Sequence, residues 1–224
     1  MLLSVTGYSV GPERRYVFWP INEAWQMNVA STLGRSKPTT CLYAHVGDSF
    51  EMPNRNPSQT IDNTGRGACL AKTISMAIYG HELRHQQLRN AVVDFILKTP
   101  LPSEIAPRDE AFYKRMANMR KSTTWMTSDE IEGKQILTII LSVIRYTGNA
   151  SAFLILQNIL SLDQGFAYLL DTPIFVCVYM RRLDGTNSFH WERTPHPQAA
   201  RQVTNSRGVY IISGGGHFKL VVHP

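Results

Sequence analysis

The stretch Gly-Arg-Gly-Ala-Cys-Leu-Ala-Lys-Thr-Ile-Ser, residues 65–75, decides the expected fold because it joins a glycine-rich turn to an apolar helix. From Leu70 onward, apolar residues recur at positions i, i+4, i+7 and i+8, which is the spacing of one helix face. Gly80 follows this segment, and a glycine there is typical of a helix C-terminus. The sequence therefore predicts a buried helix with Cys69 at its N-terminal end.

Further helices and strands are predicted on both sides of this central helix. Helical spacing or capping residues favour helices over residues 22–32, 88–96 and 109–120, from Ser128 onward, and over 153–161. Apolar, β-branched or aromatic runs favour strands or extended pieces at residues 16–20, 40–44, 174–179, 189–191, 209–212 and 218–222. The polar residues 49–67 are rich in Pro, Asn and Gly and predict a loop. Helices first and strands later indicate an α+β fold, with a small, mostly antiparallel sheet flanked by helices.

Composition and charge limit the class of protein. The chain has 224 residues, 43% of them apolar and 18% charged, which favours an ordinary globular domain with a single core. No stretch reaches the ~18 apolar residues of a membrane span, and residues 1–5 lack the features of a signal peptide, so we expect a cytoplasmic protein. The net charge is +6, but the basic residues are scattered, so nucleic acid is not expected as the primary partner.

The three cysteines do not indicate a disulfide framework or a metal centre. They are sparse, and their spacing lacks the pairs that are typical of zinc sites. Cys177 lies in an apolar, strand-like run, so we expect an inert core thiol there. Nothing around Cys41 predicts an activated thiol. Cys69 differs from both because it stands at a predicted helix start.

Cys69 and the distant His217 have the surroundings that a thiol protease needs. A helix N-terminus carries unpaired N–H groups and about half a positive charge, which stabilise a thiolate. His217 follows three glycines and opens a predicted strand, and its imidazole can take the proton of a thiol. The glycines before Cys69 allow the backbone N–H groups of Arg66, Gly67 and Ala68 to turn inward and hold an oxyanion.

Other interpretations of these residues stay open at this stage. A Gly-x-Gly turn before a helix is common, and it can also cradle phosphate, although the Lys-Ser/Thr pair of that motif is missing. The letters His-Glu-x-x-His, residues 81–85, match a zinc-hydrolase motif. The glycine just before them predicts a helix break, and no third ligand is evident. We therefore expect no metal and no cofactor.

Several segments together resemble one protease family. Residues 64–75, Tyr79-Gly80 and residues 82–96 are similar to the catalytic start of the ovarian tumour (OTU) family of cysteine proteases. The closing Gly216-His217-Phe218 resembles that family's Gly-His-Tyr/Phe signature. The resemblance covers about residues 60–222.

The resemblance implies a papain-type α+β fold and a thiol-dependent isopeptidase activity. Such a deubiquitinase cuts after the C-terminal glycine of ubiquitin or a ubiquitin-like modifier, whose conjugates are then the expected partners. Cys69 is implied as the nucleophile and His217 as its base. Gly215, Gly216 and Phe218 are implied as contacts of the slim Gly-Gly tail.

The same resemblance sets the expected domain organisation and location. Residues 51–224 are expected to form the protease domain. Residues 1–50 then form an N-terminal extension that packs on the core or binds substrate. A divergent member of this kind suits a viral or bacterial effector, which would act in the host cytosol.

Two positions depart from the family pattern. Arg66 stands where an Asp is usual three residues before the cysteine, and Lys219 stands where an Asp or Asn usually orients the histidine. A lysine cannot accept a hydrogen bond from an imidazole. Three explanations stay open: a Cys/His dyad oriented by a backbone carbonyl, replacement by Asp62 or Asn63 from the loop before the cysteine, or a catalytically impaired module that only binds ubiquitin.

Overall fold

The computed structural model describes most of the chain. The described residues are 16–34, 38, 40–43, 50–65, 67–98, 108–123, 166–167, 169–181, 187–193, 207–214 and 217–224. The predicted helices from Ser128 and over 153–161 lie outside these residues.

The described elements follow one another in α+β order. They are β1 (Val17–Phe18), α1 (Glu23–Thr32), β2 (Phe50–Glu51), β3 (Gln59–Ile61), α2 (Cys69–Tyr79), a 3-10 helix (Glu82–Arg84), α3 (His85–Lys98), α4 (Glu110–Met119), β4 (Ile174–Arg181), β5 (Asn187–Arg193), β6 (Val209–Gly214) and β7 (His217–His223). The helices predicted over residues 22–32, 88–96 and 109–120 correspond to α1, α3 and α4. Asn22 and Asp109 cap α1 and α4 by accepting hydrogen bonds from backbone N–H groups in the first turn.

The main sheet is mixed but mostly antiparallel, as predicted. Its strand order is β3-β7-β6-β4-β5, and β1 pairs with β2 in a separate ribbon. Only the β4–β6 pairing within this sheet is parallel. Because β7 lies between β3 and β6, His217 opens a strand whose neighbour β3 leads directly into the loop before Cys69.

Helix α2 runs through the centre of the core. Every residue of α2 except Lys72 is buried, and the helix ends at Gly80, whose φ of 77° is left-handed. A side chain at Gly80 would also collide with Thr40, whose carbonyl oxygen lies 2.5 Å from an ideal Cβ position. The predicted helix and its glycine stop are thereby confirmed.

The segment around α1 shares this core. Phe18 and Ile21 are buried with the α2 residues, and the Phe18 ring lies 4.4 Å from the Tyr210 ring of β6, centroid to centroid. The buried Gln26 side chain donates a hydrogen bond to the carbonyl of Ala77, 2.8 Å away, near the end of α2. The core therefore extends over residues 16–30, which lie in the first 50 of the chain.

Two local predictions were wrong. Residues 49–67 are not one continuous loop, because β2 and β3 interrupt them. Residues 42–43 form a turn rather than an extended piece. In both places the tertiary partner decides, since β3 is held by β7, and Thr40 packs against the C-terminal end of α2. Among the residues that the structure describes, no helix has the length and apolar character that a membrane crossing requires.

Candidate active site

Cys69 is the first residue of α2. Its side chain is buried, and the preceding Ala68 forms the N-cap without a side-chain hydrogen bond. The first turn of α2 contains no acidic residue. The positive end of the helix dipole is therefore directed at the turn that holds the thiol, with no carboxylate of that turn to offset it.

His217, at the start of β7, is hydrogen-bonded to Asp62. The His217 Nε2 atom lies 2.6 Å from Asp62 Oδ1, and Lys219 Nζ lies 2.8 Å from Asp62 Oδ2. Both carboxylate oxygens are thus engaged, which fixes the plane of the carboxylate between the two side chains. Asp62, named from the sequence as a replacement orienter, is the residue that the structure brings to the imidazole.

The charge state of Asp62 determines the tautomer of His217. The hydrogen bond from Lys219, followed by that from His217, holds the pKa of Asp62 well below its usual range. An ionised carboxylate only accepts hydrogen bonds, so Nε2 of His217 carries a proton and donates a hydrogen bond to Asp62. In the neutral ring Nδ1 is then unprotonated and can act as a base.

The Nδ1 edge of the ring faces the loop that leads to Cys69. An ideal Cβ at Gly65 would lie 3.4 Å from Cε1 and 3.7 Å from Nδ1 of His217. Gly65 also has a left-handed φ of 64°, which favours glycine. The imidazole therefore packs over Gly65 of the glycine turn, the turn that contains Gly65 and Gly67, and Asp62 lies at the Nε2 edge of the ring.

Asn63, the other residue named as a replacement orienter, has a different place. Its amide nitrogen donates to the carbonyl of Phe218 at 2.8 Å and to Thr73 Oγ1 at 3.0 Å, and its Oδ1 accepts from the N–H of Gly65 at 2.9 Å. The same amide lies 3.4 Å from the carbonyl of Cys69. Asn63 therefore fastens the loop, the first turns of α2 and the start of β7 to one another.

A second clamp holds the outer side of this loop. The Glu82 carboxylate accepts a hydrogen bond from the N–H of Thr64 at 3.0 Å, and Lys72 Nζ bonds Thr64 Oγ1 and the carbonyl of Gly65. Burial would raise the pKa of Glu82, but the hydrogen bonds from Thr64 outweigh it and the pKa is lowered. Glu82 is therefore an ionised tether of the loop.

This placement does not fit the zinc-hydrolase interpretation. The letters His-Glu-x-x-His fall on the 3-10 helix Glu82–Arg84, with His81 extended before it and His85 opening α3. The zinc motif needs both histidines on one face of a continuous α-helix. Over the described part of the chain, no three His, Cys, Asp or Glu side chains cluster as they would around a metal ion.

The remaining predicted site residues are distributed unevenly. Arg66, Gly215 and Gly216 lie outside the described residues. Phe218 is buried in the core, and its carbonyl is bonded by Asn63 and Thr73. The Cys177 thiol lies in the core as expected, and burial raises its pKa to about 12.

A cleft of about 210 Å³ opens beside His217 on the sheet side. It is lined by residues of the segment before β3 and of β3, β6 and β7: Asn56, Pro57, Thr60, Ile212, Gly214 and Lys219. The imidazole of His217 also lines this cleft.

One residue near the candidate nucleophile lies in the segment that resembles the OTU family but was given no role from the sequence. Arg89 is fully buried, donates from Nη1 to the carbonyl of Gly67 at 3.2 Å, and bonds the carbonyl of Met119 through Nε. A signal existed, because Arg89 precedes Val92 and Val93 by three and four residues and so shares their buried helix face. A charged residue in a buried stripe requires a partner, and the partners of Arg89 among the described residues include two backbone carbonyls.

No protein-family model matches the chain, and no curated protein sequence matches it. Among solved structures, it is similar to the OTU domain of OTUD1 (TM-score 0.42, 15% identity, 72% of this chain and 83% of that one). It is also similar to the viral OTU domain protease from Farallon virus (TM-score 0.37, 12% identity, 72% of this chain and 82% of that one). A third similar structure is an OTU deubiquitinase from Wolbachia pipientis wMel bound to ubiquitin (TM-score 0.38, 14% identity, 74% of this chain and 95% of that one).

Proposed function

We propose that this chain is an OTU-type cysteine protease that hydrolyses the isopeptide bond after the C-terminal glycine of ubiquitin or a ubiquitin-like modifier. The observation that carries the proposal is the Asp62–His217 hydrogen bond of 2.6 Å beside the glycine turn that opens helix α2 at Cys69. The motif resemblance supplies the substrate class. In the proposed site, the orienting carboxylate comes from Asp62 in the loop before Cys69 rather than from position 219.

The first half of the reaction forms an acyl-enzyme. His217 Nδ1 takes the proton of Cys69, and the thiolate sulfur attacks the carbonyl carbon of the modifier's terminal glycine. The oxygen of that carbonyl becomes an oxyanion, which the backbone N–H groups of the turn before Cys69 stabilise. The C–N bond then breaks, and the His217 imidazolium returns its proton to the leaving lysine amine.

The second half releases the modifier. A water molecule loses a proton to His217 and attacks the thioester carbon, and the C–S bond breaks. The thiolate of Cys69 takes the proton held by His217, and the modifier leaves as a carboxylic acid that loses its proton to solvent. Through both halves Asp62 holds the Nε2–H of His217 and stabilises the imidazolium when it forms.

The test is cleavage of a panel of linked di-ubiquitins by the wild type and by Cys69→Ala. The wild type is expected to cleave at least one linkage and Cys69→Ala none. Cys41→Ala, which removes a partly exposed thiol elsewhere, is the matched control and should cleave like the wild type. Cleavage that persists in Cys69→Ala would refute the proposed mechanism.

A ubiquitin probe with a C-terminal electrophile separates the enzyme from a module that only binds. An enzyme forms a covalent adduct at Cys69, which mass spectrometry of the peptides locates. Ubiquitin binding without an adduct would instead support the impaired binding module.

A further inference from the structure

Arg89 connects the turn before Cys69 to the far side of the core. It lies on α3, and its side chain is fully buried. Among the described residues, its guanidinium donates to the backbone carbonyl of Gly67 before the nucleophile and to that of Met119 at the end of α4. A planar guanidinium with separate donors can hold both carbonyls at once, which a single ammonium cannot do in the same geometry.

The bond to Gly67 sets the orientation of one peptide plane. In a trans peptide the carbonyl oxygen and the following N–H point in opposite directions. Because the Gly67 oxygen points toward the buried guanidinium, the N–H of Ala68 points away from Arg89. That N–H is one of those assigned to the oxyanion in the proposed function.

The same turn is confined from a second direction. Gly67 has a left-handed φ of 77°, and an ideal Cβ there would lie 2.6 Å from the carbonyl oxygen of Thr123. The backbone after α4 therefore presses against the Cα of Gly67, while Arg89 holds its carbonyl. The peptide plane between Gly67 and Ala68 has little freedom to rotate.

The charge of Arg89 is retained at this depth. Burial, the larger effect, lowers the pKa of Arg89 to about 10, and an electrostatic interaction with Cys69 acts in the opposite direction. The guanidinium is thus cationic at neutral pH.

We infer that Arg89 is a positioning residue for the oxyanion site, which fixes the Gly67–Ala68 peptide so that the Ala68 N–H is aimed at the substrate oxygen. The inference rests on the proposed function and adds to it the residue that preorganises the turn. Preorganised donors matter because they stabilise the oxyanion without having to reorient during the reaction.

The experiment compares two reactions of the same thiol. Acyl transfer develops an oxyanion, whereas alkylation of Cys69 by iodoacetamide displaces iodide and develops none at a carbonyl. Wild type, Arg89→Lys and Arg89→Met are assayed for kcat and KM on a ubiquitin–fluorophore amide, for inhibition by ubiquitin C-terminal aldehyde, and for the rate of alkylation. Arg120→Ala is the matched control, because Arg120 also joins α4 to α3, through Asp94 at 2.5 Å, without touching the turn.

Both Arg89 variants are expected to lose about 10- to 100-fold in kcat, somewhat less than the 10²–10³ lost when an oxyanion donor is removed outright. Aldehyde inhibition should weaken in parallel, because the hemithioacetal oxygen occupies the same site. KM and the alkylation rate should stay within about threefold, and Arg120→Ala should match the wild type.

Three results would overturn the inference. Alkylation that falls in proportion to acyl transfer would show that Arg89 acts on the thiol or on the fold. Full activity in Arg89→Lys alongside an inactive Arg89→Met would show that only its charge matters. Unchanged kcat in both folded variants would show that it has no role in the reaction.

A second variant covers the case in which both Arg89 variants unfold. Gly67→Ala displaces the same peptide from the Thr123 side and should give the same signature, a loss of acyl transfer with alkylation retained. Equal loss of both reactions in Gly67→Ala would contradict the inference. A wild type that cleaves no ubiquitin amide overturns the proposed function as well, whereas an active wild type with unaffected variants overturns the inference alone.

Discussion

Replacing Asp62 by alanine removes the carboxylate that holds His217 and leaves the thiol and its turn in place. A hydrogen bond to a charged group is worth about 1.5–3 kcal/mol. The Asp62 side chain is 56% exposed, so water competes with the bond and the lower end of that range applies. At 1.36 kcal/mol per factor of ten, this loss alone lowers kcat by about 10- to 30-fold.

Asp62→Ala has a second effect, because Lys219 keeps its charge. Lys219 and His217 bond the same carboxylate, so removal of Asp62 leaves an ammonium about 6 Å from the imidazolium of the proposed mechanism, a repulsion of roughly 1 kcal/mol in a mostly aqueous setting. The single variant is therefore expected to lose about 50- to 150-fold in kcat. The double variant Asp62→Ala/Lys219→Ala should recover about fivefold of that loss.

The assay is steady-state kinetics of a ubiquitin–fluorophore amide at pH 7.5 and low salt, completed as a double-mutant cycle with Lys219→Ala. Asp94→Asn is the matched control, since it changes a partly exposed carboxylate that pairs with Arg120 away from the site. The reasoning is refuted if Asp62→Ala loses less than threefold in kcat. It is also refuted if the double variant is no better than the single one, because Lys219 would then have no electrostatic role.

Three further changes test the pH dependence and the packing. Because the Lys219 hydrogen bond is the largest cause of the lowered pKa of Asp62, Lys219→Gln lets that pKa rise toward its usual value, so the carboxylate is lost at a higher pH and the ratio of kcat/KM at pH 3.5 to that at pH 7.5 should fall about two- to threefold, whereas an unchanged ratio contradicts the assignment. Gly80→Ala forces a side chain into a left-handed φ and against Thr40, so we expect a loss of about 2 kcal/mol and a Tm lowered by about 4–8 °C in a thermal melt. Tyr210→Phe leaves two backbone groups of the N-terminal segment without their hydroxyl partner, and urea unfolding should show a loss of about 1–3 kcal/mol, while a loss near zero would mean that the segment is not held there.

The parts of the fold that could be predicted are those with local signals. Helix α2 carries an apolar stripe and ends at a glycine in the left-handed region. Both features can be recognised in the sequence from a few neighbouring residues. Strands β6 and β7 are short apolar runs of the kind that a sheet interior requires. The pairing of Cys69 with His217 was suggested by chemistry, because a thiol at a helix start needs a base.

The parts that could not be predicted depend on partners distant in the chain. Strand β3 is a tripeptide in which Ile61 alone is apolar, too short to show alternation, and it is a strand because β7 offers a ladder edge to pair with. The buried Gln26 and Arg89 find their carbonyl partners 51 and 22 residues away. No local pattern states which carbonyl a buried polar side chain will meet.

The location of Asp62 follows from the register of two neighbouring strands. Ile61 of β3 stands opposite Leu220 of β7, so continuing the antiparallel register by one residue places Asp62 opposite Lys219 and diagonal to His217. Position 219, where the OTU family resemblance puts an Asp or Asn, and position 62 are therefore adjacent across the sheet. A carboxylate at position 62 can therefore reach the ring of His217, and Asp62 Oδ1 lies 2.6 Å from Nε2. Lys219 holds the other oxygen of this carboxylate through its ion pair. A lysine at position 219 thus removes one hydrogen-bond acceptor, but its charge holds Asp62 beside His217, and Asp62 supplies an acceptor in its place.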